Sequence, residues 1–267
     1  MPFSLATWNI NSVRLRLPLV LRFLKKHPVD VLCLQEIKCQ NERFPAKKFA
    51  RAGYPYHAVH GQKGYHGVAI VSRHPLTDIS SRVFCEIPDC RHVSANVAWG
   101  RDPLTVHSIY IPAGGDTPDP ELNVKFRHKL DFLKELKEWF GTDQFRSGQL
   151  ICGDFNVAPH EDDVWSHKQL LNVVSHTPVE TEALNELLTA NHGWTDLVRK
   201  HHPFGTKLYS WWSYRAHDWQ LSNRGRRLDH IWATSDVAAH TTGAEIIVPA
   251  RGWTEKPSDH VPVIAHF

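Results

Sequence analysis

The chain has 267 residues, 42% hydrophobic and 22% charged, a balance that supports a buried core and excludes a disordered chain. With 31 basic and 28 acidic residues the net charge is +3, compatible with nucleic acid as a partner but too weak to require one. No apolar run approaches the roughly 20 residues that span a bilayer, so no membrane association is expected, and Met1-Pro2-Phe3-Ser4-Leu5 lacks the basic start of a secretory signal.

Residues 5–8 predict a buried strand. Leu17, Val20, Leu21 and Leu24 follow at the i, i+3, i+4, i+7 spacing of an amphipathic helix. Apolar runs at 29–34, 67–71, 104–109 and 149–152 predict further strands. A long helix is expected from near Glu121 to Phe140, with Phe126, Leu130, Leu133 and Phe140 on one face and Gly141 ending it. Thr177-Pro178-Val179-Glu180 has the form of a capping box with proline at the first helical position. It opens a helix through Leu184, Leu187 and Leu188. Strands at 228–233, 244–248 and 261–267 close the chain. No linker, repeat or charge block divides it, so residues 1–267 read as one α/β domain, and the short connections argue for mixed sheets packed together. The five cysteines, Cys33, Cys39, Cys85, Cys90 and Cys152, are odd in number and lack histidines at zinc spacing. They predict reduced thiols and a cytoplasmic location.

Polar residues gather where apolar strands end, in Trp8-Asn9-Ile10-Asn11, Gln35-Glu36-Ile37-Lys38, Gly153-Asp154-Phe155-Asn156, Arg227-Leu228-Asp229-His230 and Ser258-Asp259-His260. Asn and Asp cap strand ends and turns in most proteins, so any one motif alone is weak. Five after five apolar strands are harder to dismiss. Residues i and i+2 of a strand share a face, so Asn9 with Asn11, and Asp154 with Asn156, are expected to converge if the strands continue. A carboxylate at the end of a buried strand needs a partner, and a set of carboxylates and amides suits oxygen-ligated Mg2+ better than zinc. Such a set points to metal-assisted hydrolysis of a phosphate ester.

Together with Tyr110-Ile111-Pro112 and Tyr209-Ser210-Trp211-Trp212-Ser213-Tyr214-Arg215, these motifs resemble the exonuclease III family of abasic-site endonucleases, in the endonuclease/exonuclease/phosphatase superfamily. The resemblance runs in order from residue 5 to residue 266. It implies a four-layer α/β sandwich, as in deoxyribonuclease I, with two mixed sheets face to face and helices outside. It implies Mg2+, with Mn2+ as the alternative, held by Glu36 with Asn9, Asn11 and Asp259 beside it. Asp154 would activate water, Asn156 position it, Asp229 fix His260, His260 stabilise charge on the phosphate, and Tyr110 contact the phosphate or the leaving oxygen. The implied partner is double-stranded DNA carrying abasic sites or 3′ ends, with no obligate protein partner. DNA contacts are expected from Trp211, Arg215, Arg224, Arg226, Lys38 and His167, and Arg14, Lys63, Arg91 and Arg227 are further basic candidates.

The chain departs from the family pattern in three places. Ala113-Gly114-Gly115 follows Tyr-x-Pro where relatives often carry an amide side chain, and glycine N–H groups are expected to substitute. Arg226 stands where some relatives have an aromatic residue, and is expected to thin the pocket wall or enter a groove. The loop 163–168 brings Trp165 and His167 close to Asp154, where they are expected to tune abasic-site incision against 3′-end attack. Two rivals remain open from sequence: a superfamily phosphodiesterase with another substrate, or one confined to 3′ ends, and a DNA-binding module without catalysis. The Ser210–Arg215 motif disfavours the first and the intact carboxylate set the second.

Overall fold

The computed structural model describes residues 2–100, 102–190, 193–216, 218–254 and 256–267. Its frame is two six-stranded sheets. The first runs, in spatial order, Gly243–Ile246, Val263–His266, Ser4–Asn9, Val31–Gln35, Val68–Ser72, Tyr56–His60. The second runs Leu76–Ser80, His92–Trp99, Asp102–Tyr110, Gln149–Asp154, Asp229–Ala233, Thr195–Asp196. In each sheet one central pair is parallel, Ser4–Asn9 with Val31–Gln35 and Asp102–Tyr110 with Gln149–Asp154. The other pairings are antiparallel.

The inner faces meet through Leu5, Val31, Cys33, Val68 and Ile70 on one side and Val93, Ala95, Val106, Leu150 and Ile231 on the other. The outer face of the first sheet packs Trp8, Leu32 and Leu34 against the helices Leu17–Lys26 and Ala46–Arg51. That of the second packs Ile109, Ile151 and Trp232 against Val124–Phe140 and Pro178–Thr189. These are the four layers the resemblance implied. A central strand is buried on both faces, which is why 31–34 and 150–152 read as unbroken apolar runs. Tyr56–His60, Leu76–Ser80 and His92–Trp99 were not anticipated. The last alternates buried Val93, Ala95 and Val97 with polar His92, Ser94 and Asn96, a period-two signal diluted by its polar half.

The long helix starts later than expected, at Val124, because the Asn123 side chain accepts from Lys125 N–H at 3.0 Å and caps it. Its buried residues are Phe126, Lys129, Phe132, Leu133, Leu136 and Phe140, while Leu130 is only half-buried. The inward stripe therefore contains a lysine. Gly141 ends the helix with right-handed backbone, φ −75°. No helix among the described residues is long and apolar enough to cross a membrane.

Candidate active site

The topology and a few hydrogen bonds between the sheets place the predicted groups together. Parallel strands end at the same edge, so Asn9 and Glu36 leave the first sheet together and Tyr110 and Asp154 leave the second together, and the Asn9–Asp154 and Tyr110–Glu36 hydrogen bonds join the two edges. Asp229 enters its strand directly opposite Asp154. Trp8 Nε1 donates to His260 O at 2.9 Å, and the Ser258 hydroxyl donates to Asn9 O at 2.7 Å, tying the last motif to the first strand.

Asn11 and Asn156 do not continue their strands as the i, i+2 argument assumed. The strands stop at Asn9 and Asp154, and Asn11 (φ 46°), Glu36 (φ 48°), Lys38 (φ 50°) and Asn156 (φ 53°) are left-handed. That conformation is uncommon outside glycine and gathers at functional sites, where surrounding structure holds it. Asn11 therefore aims away from Asn9's partners. Its amide donates to Asp259 Oδ1 at 3.2 Å and accepts from Lys38 Nζ at 2.6 Å.

One chain of hydrogen bonds and an ion pair links the rest. Tyr110 OH donates to Glu36 Oε1 at 3.0 Å. The Asn9 amide donates to Glu36 Oε1 at 3.0 Å and to Asp154 Oδ2 at 2.8 Å. His260 Nε2 lies 3.5 Å from Asp154 Oδ2, and its Nδ1 lies 2.8 Å from Asp229 Oδ2. Asn156 N–H donates to Asp154 Oδ1 at 2.9 Å, while its side chain donates to Ile111 O at 2.8 Å.

Burial presses on Asp154, His260, Glu36, Asp259 and Tyr110, and neighbouring charges oppose or reinforce it. Burial raises Asp154 to about 7, with His260 opposing and Asp229 adding to the rise. Burial disfavours a charged His260, but Asp229 and Asp154 outweigh it and lift the imidazole to about 10. Against burial, Lys38, Asn9 and His260 hold Glu36 below its ordinary value, and His260, Asn11 and Trp211 do the same for Asp259. Burial, with Glu36 and Asp154 nearby, keeps Tyr110 protonated well past its usual range.

Two donor sets could hold a cation. Asp154, Asp229 and His260 offer atoms within 4.8 Å of one another. Both ring nitrogens of His260 face carboxylates, and an imidazolium has no lone pair to give. Glu36 and Asp259 are ionised oxygen donors, the chemistry a hard cation requires; the amide nitrogens of Asn9 and Asn11 face them, while the amide oxygens accept from Asn11 N–H and Lys38 Nζ. Lys38 Nζ, 2.7 Å from Glu36 Oε2, shows that this carboxylate attracts a cation.

Beside the chain opens a cleft of about 590 Å³ lined by Trp165, Trp211, Arg215, Arg224, Arg226 and Gly115, among others. Trp211 faces it and donates to Asp259 Oδ2 at 3.1 Å, whereas Trp212 is core. Arg215 and Arg224 are exposed, Arg224 with its guanidinium 4.7 Å from the Trp165 ring centre.

Several other basic candidates are held by partners within the chain. Arg226 does not reach for a groove. It donates to Val174 O at 2.9 Å and Ser175 Oγ at 2.7 Å while lying over Trp211. Lys38 is folded back by its left-handed backbone onto Glu36 and Asn11. Arg227 is buried between Asp163 and Asp196, and Arg91 is pinned to Asp89. His167 lies outside the cleft wall, its Nδ1 2.8 Å from His176 Nε2, so Trp165 alone of that pair faces the cleft. Arg14 and Lys63 are exposed.

Sequence reasoning gave no role to Ser210, whose hydroxyl donates to Asp229 Oδ2 at 2.6 Å and accepts from Leu228 N and Asp229 N at 3.0 Å each. A serine amid buried aromatics was its signal. Lys129 was also missed. Its signal was a charge on an apolar helix stripe.

The family model described as "Endonuclease/Exonuclease/phosphatase family" matches residues 6–260. Exodeoxyribonuclease III of Haemophilus influenzae is 31% identical over 271 residues, covering 98% of either chain. DNA repair nuclease APEX1 of Danio rerio is 29% identical over 276 residues, covering 97% of this chain and 80% of that one. Among solved structures, an AP endonuclease from Archaeoglobus fulgidus superposes with a TM-score of 0.89 at 33% identity, over 98% of each chain. A 3′ phosphatase from Neisseria bound to a product DNA hairpin superposes at 0.88 with 32% identity, again over 98% of each.

Proposed function

The chain belongs to the endonuclease/exonuclease/phosphatase family, in its exodeoxyribonuclease III branch, and on that premise we propose a Mg2+-dependent DNA repair hydrolase that cuts 5′ to abasic sites and clears nucleotides or blocks from 3′ ends of duplex DNA. The observation that carries this reading is the unbroken chain Tyr110–Glu36–Asn9–Asp154–His260–Asp229 beside an aromatic and cationic cleft. The abasic-site and 3′-end substrates are supported by an AP endonuclease and a 3′ phosphatase standing at nearly equal similarity.

Asp154, raised to about 7 and held on both oxygens, takes a proton from the attacking water near neutral pH. Asn156 positions that water. His260, oriented by Asp229, donates to a non-bridging phosphate oxygen as charge grows there. The water oxygen bonds to phosphorus, the bond to the 3′ oxygen breaks, and the Tyr110 hydroxyl stands ready to donate to that oxygen. The products are a 3′-hydroxyl and a 5′-phosphate. Glu36, with Asn9, Asn11 and Asp259, would hold Mg2+ or Mn2+, which supplies Lewis-acid stabilisation of the phosphate when bound. Trp211 offers a flat wall to a sugar without its base, and Arg215 and Arg224 offer charge to the backbone.

The test is a panel of three duplexes, carrying an abasic site, a 3′-phosphate or a plain recessed end, each with Mg2+ and then with EDTA. Metal-dependent cleavage of the abasic and 3′-end substrates supports the reading. Activity on 3′ ends alone narrows it to end processing, and binding without cleavage refutes it.

A further inference from the structure

Behind the catalytic loop lies a buried ion pair that the chemistry above does not use. Lys129, on the helix Val124–Phe140, and Glu180, on Pro178–Thr189, are both fully buried and bonded to each other. Burying two charges costs several kcal/mol each before their attraction is counted, and an apolar pair would fill the slot more cheaply. The other contacts say what the pair accomplishes. The Lys129 ammonium also donates to Asn156 O at 2.7 Å and Ala113 O at 3.4 Å, so its three N–H bonds reach three different segments. Glu180 accepts from Ser175 N, from Thr177 N at 3.2 Å and from the Thr177 hydroxyl at 2.7 Å. The capping box of the sequence thus doubles as a counterion.

Asn156 is left-handed at φ 53°, and the peptide that carries its carbonyl hinges at this residue on the peptide whose N–H donates to Asp154 Oδ1 at 2.9 Å. Gly114, at φ +88°, leaves room for the lysine stem: a Cβ there would come within 3.0 Å of Lys129 Cδ and 3.1 Å of Val174 Cγ1. The 174–175 segment in turn receives Arg226, which lies over Trp211 in the cleft.

We propose that Lys129 and Glu180 are positioning residues: the pair locks the backbone of Asn156, and so the Asp154 carboxylate, in register with the cleft wall at Val174 and Ser175. The kinetic part of this claim rests on the proposed hydrolase function. K129M alone strands a buried carboxylate, so the double variant K129M/E180Q, which removes both charges, is measured beside it. With the folded double variant, positioning predicts that kcat on the abasic or 3′-phosphate duplex falls about tenfold or more with KM within twofold, since small misplacements at a reacting centre are costly. In its crystal structure the Asn156 carbonyl rotates away from the position that Lys129 held. A merely structural pair instead lowers the melting temperature and leaves kcat per folded molecule and the Asn156 backbone unchanged, which overturns the proposal. A wild type inert on all three duplexes refutes the assigned function, and the Asn156 backbone in the variant crystal then decides the positioning claim by itself.

Discussion

Gly153 is the position at which fold and site are most tightly joined, and Gly153→Ala tests that junction. Gly153 pairs with Ile109 across the parallel centre of the second sheet, at φ +147°. An added Cβ would sit 1.8 Å from Ile109 O and 2.8 Å from Ile109 C. The obstacle is backbone and cannot rotate aside, so the strands would have to part by roughly 1.5 Å from a spacing near 4.8 Å. That displacement breaks about two buried ladder bonds at roughly 1–3 kcal/mol each, and the conformation adds about 1–3 kcal/mol of strain for a residue with a side chain. The expected loss is on the order of 3–9 kcal/mol, a large share of a typical domain's stability. Urea unfolding followed by fluorescence of the 10 tryptophans measures it. Gly148→Ala is the control, because Gly148 is also left-handed (φ +65°) but its Cβ would meet only Pro103 O at 3.5 Å. Tyr110 and Asp154 face each other one residue further on, so kcat of the folded fraction should fall as well. A loss in G153A no larger than in G148A would refute the reasoning.

Burial holds His107 down to about 4, with Gln149 opposing only partly, and burial and His107 hold His92 well below its ordinary value. An unfolded histidine protonates near 6.5, so the stability these residues contribute is complete above that pH and is lost as pH falls toward 4; for His107 the roughly 2.5-unit gap amounts to about 3 kcal/mol. Urea midpoints from pH 8 to 4.5 should drop steeply in the wild type and less in H107Q, and parallel curves would count against the assignment. Ser210→Ala removes the hydroxyl that serves Asp229, and should cost about 1–3 kcal/mol in stability and lower kcat, both measured against the wild type; kcat unchanged would mean that Asp229 needs no such support. Arg226→Ala frees Trp211 and the 174–175 segment, and KM for the abasic duplex should rise about tenfold with kcat within twofold, for a loss near 1.4 kcal/mol. An unchanged KM would remove Arg226 from the cleft's binding wall.

The layered architecture was legible because central strands buried on both faces leave unmistakable apolar runs, and because polar motifs cluster where those runs stop. His92–Trp99 was harder, since one face carries the polar His92, Ser94 and Asn96, and His92 and Asn96 bond within the sheet. At the site, residue types were readable but local geometry was not. Asn11 and Asn156 have their partners through left-handed turns, and nothing in an Asn-x-Asn or Asp-x-Asn spacing distinguishes a turn from a continuing strand. Cationic side chains were the least legible. Lys38, Arg91, Arg226 and Arg227 look like surface charge in sequence, yet each is held by an internal partner, because buried carboxylates and carbonyls recruit the nearest long side chain.

The proposed chemistry turns on where a hard cation binds. Anomalous diffraction from crystals soaked in Mn2+ locates it directly. A peak at the Glu36 carboxylate, lost in E36Q, is the predicted result. A peak confined to Asp154, Asp229 and His260, and unaffected by E36Q, would contradict it.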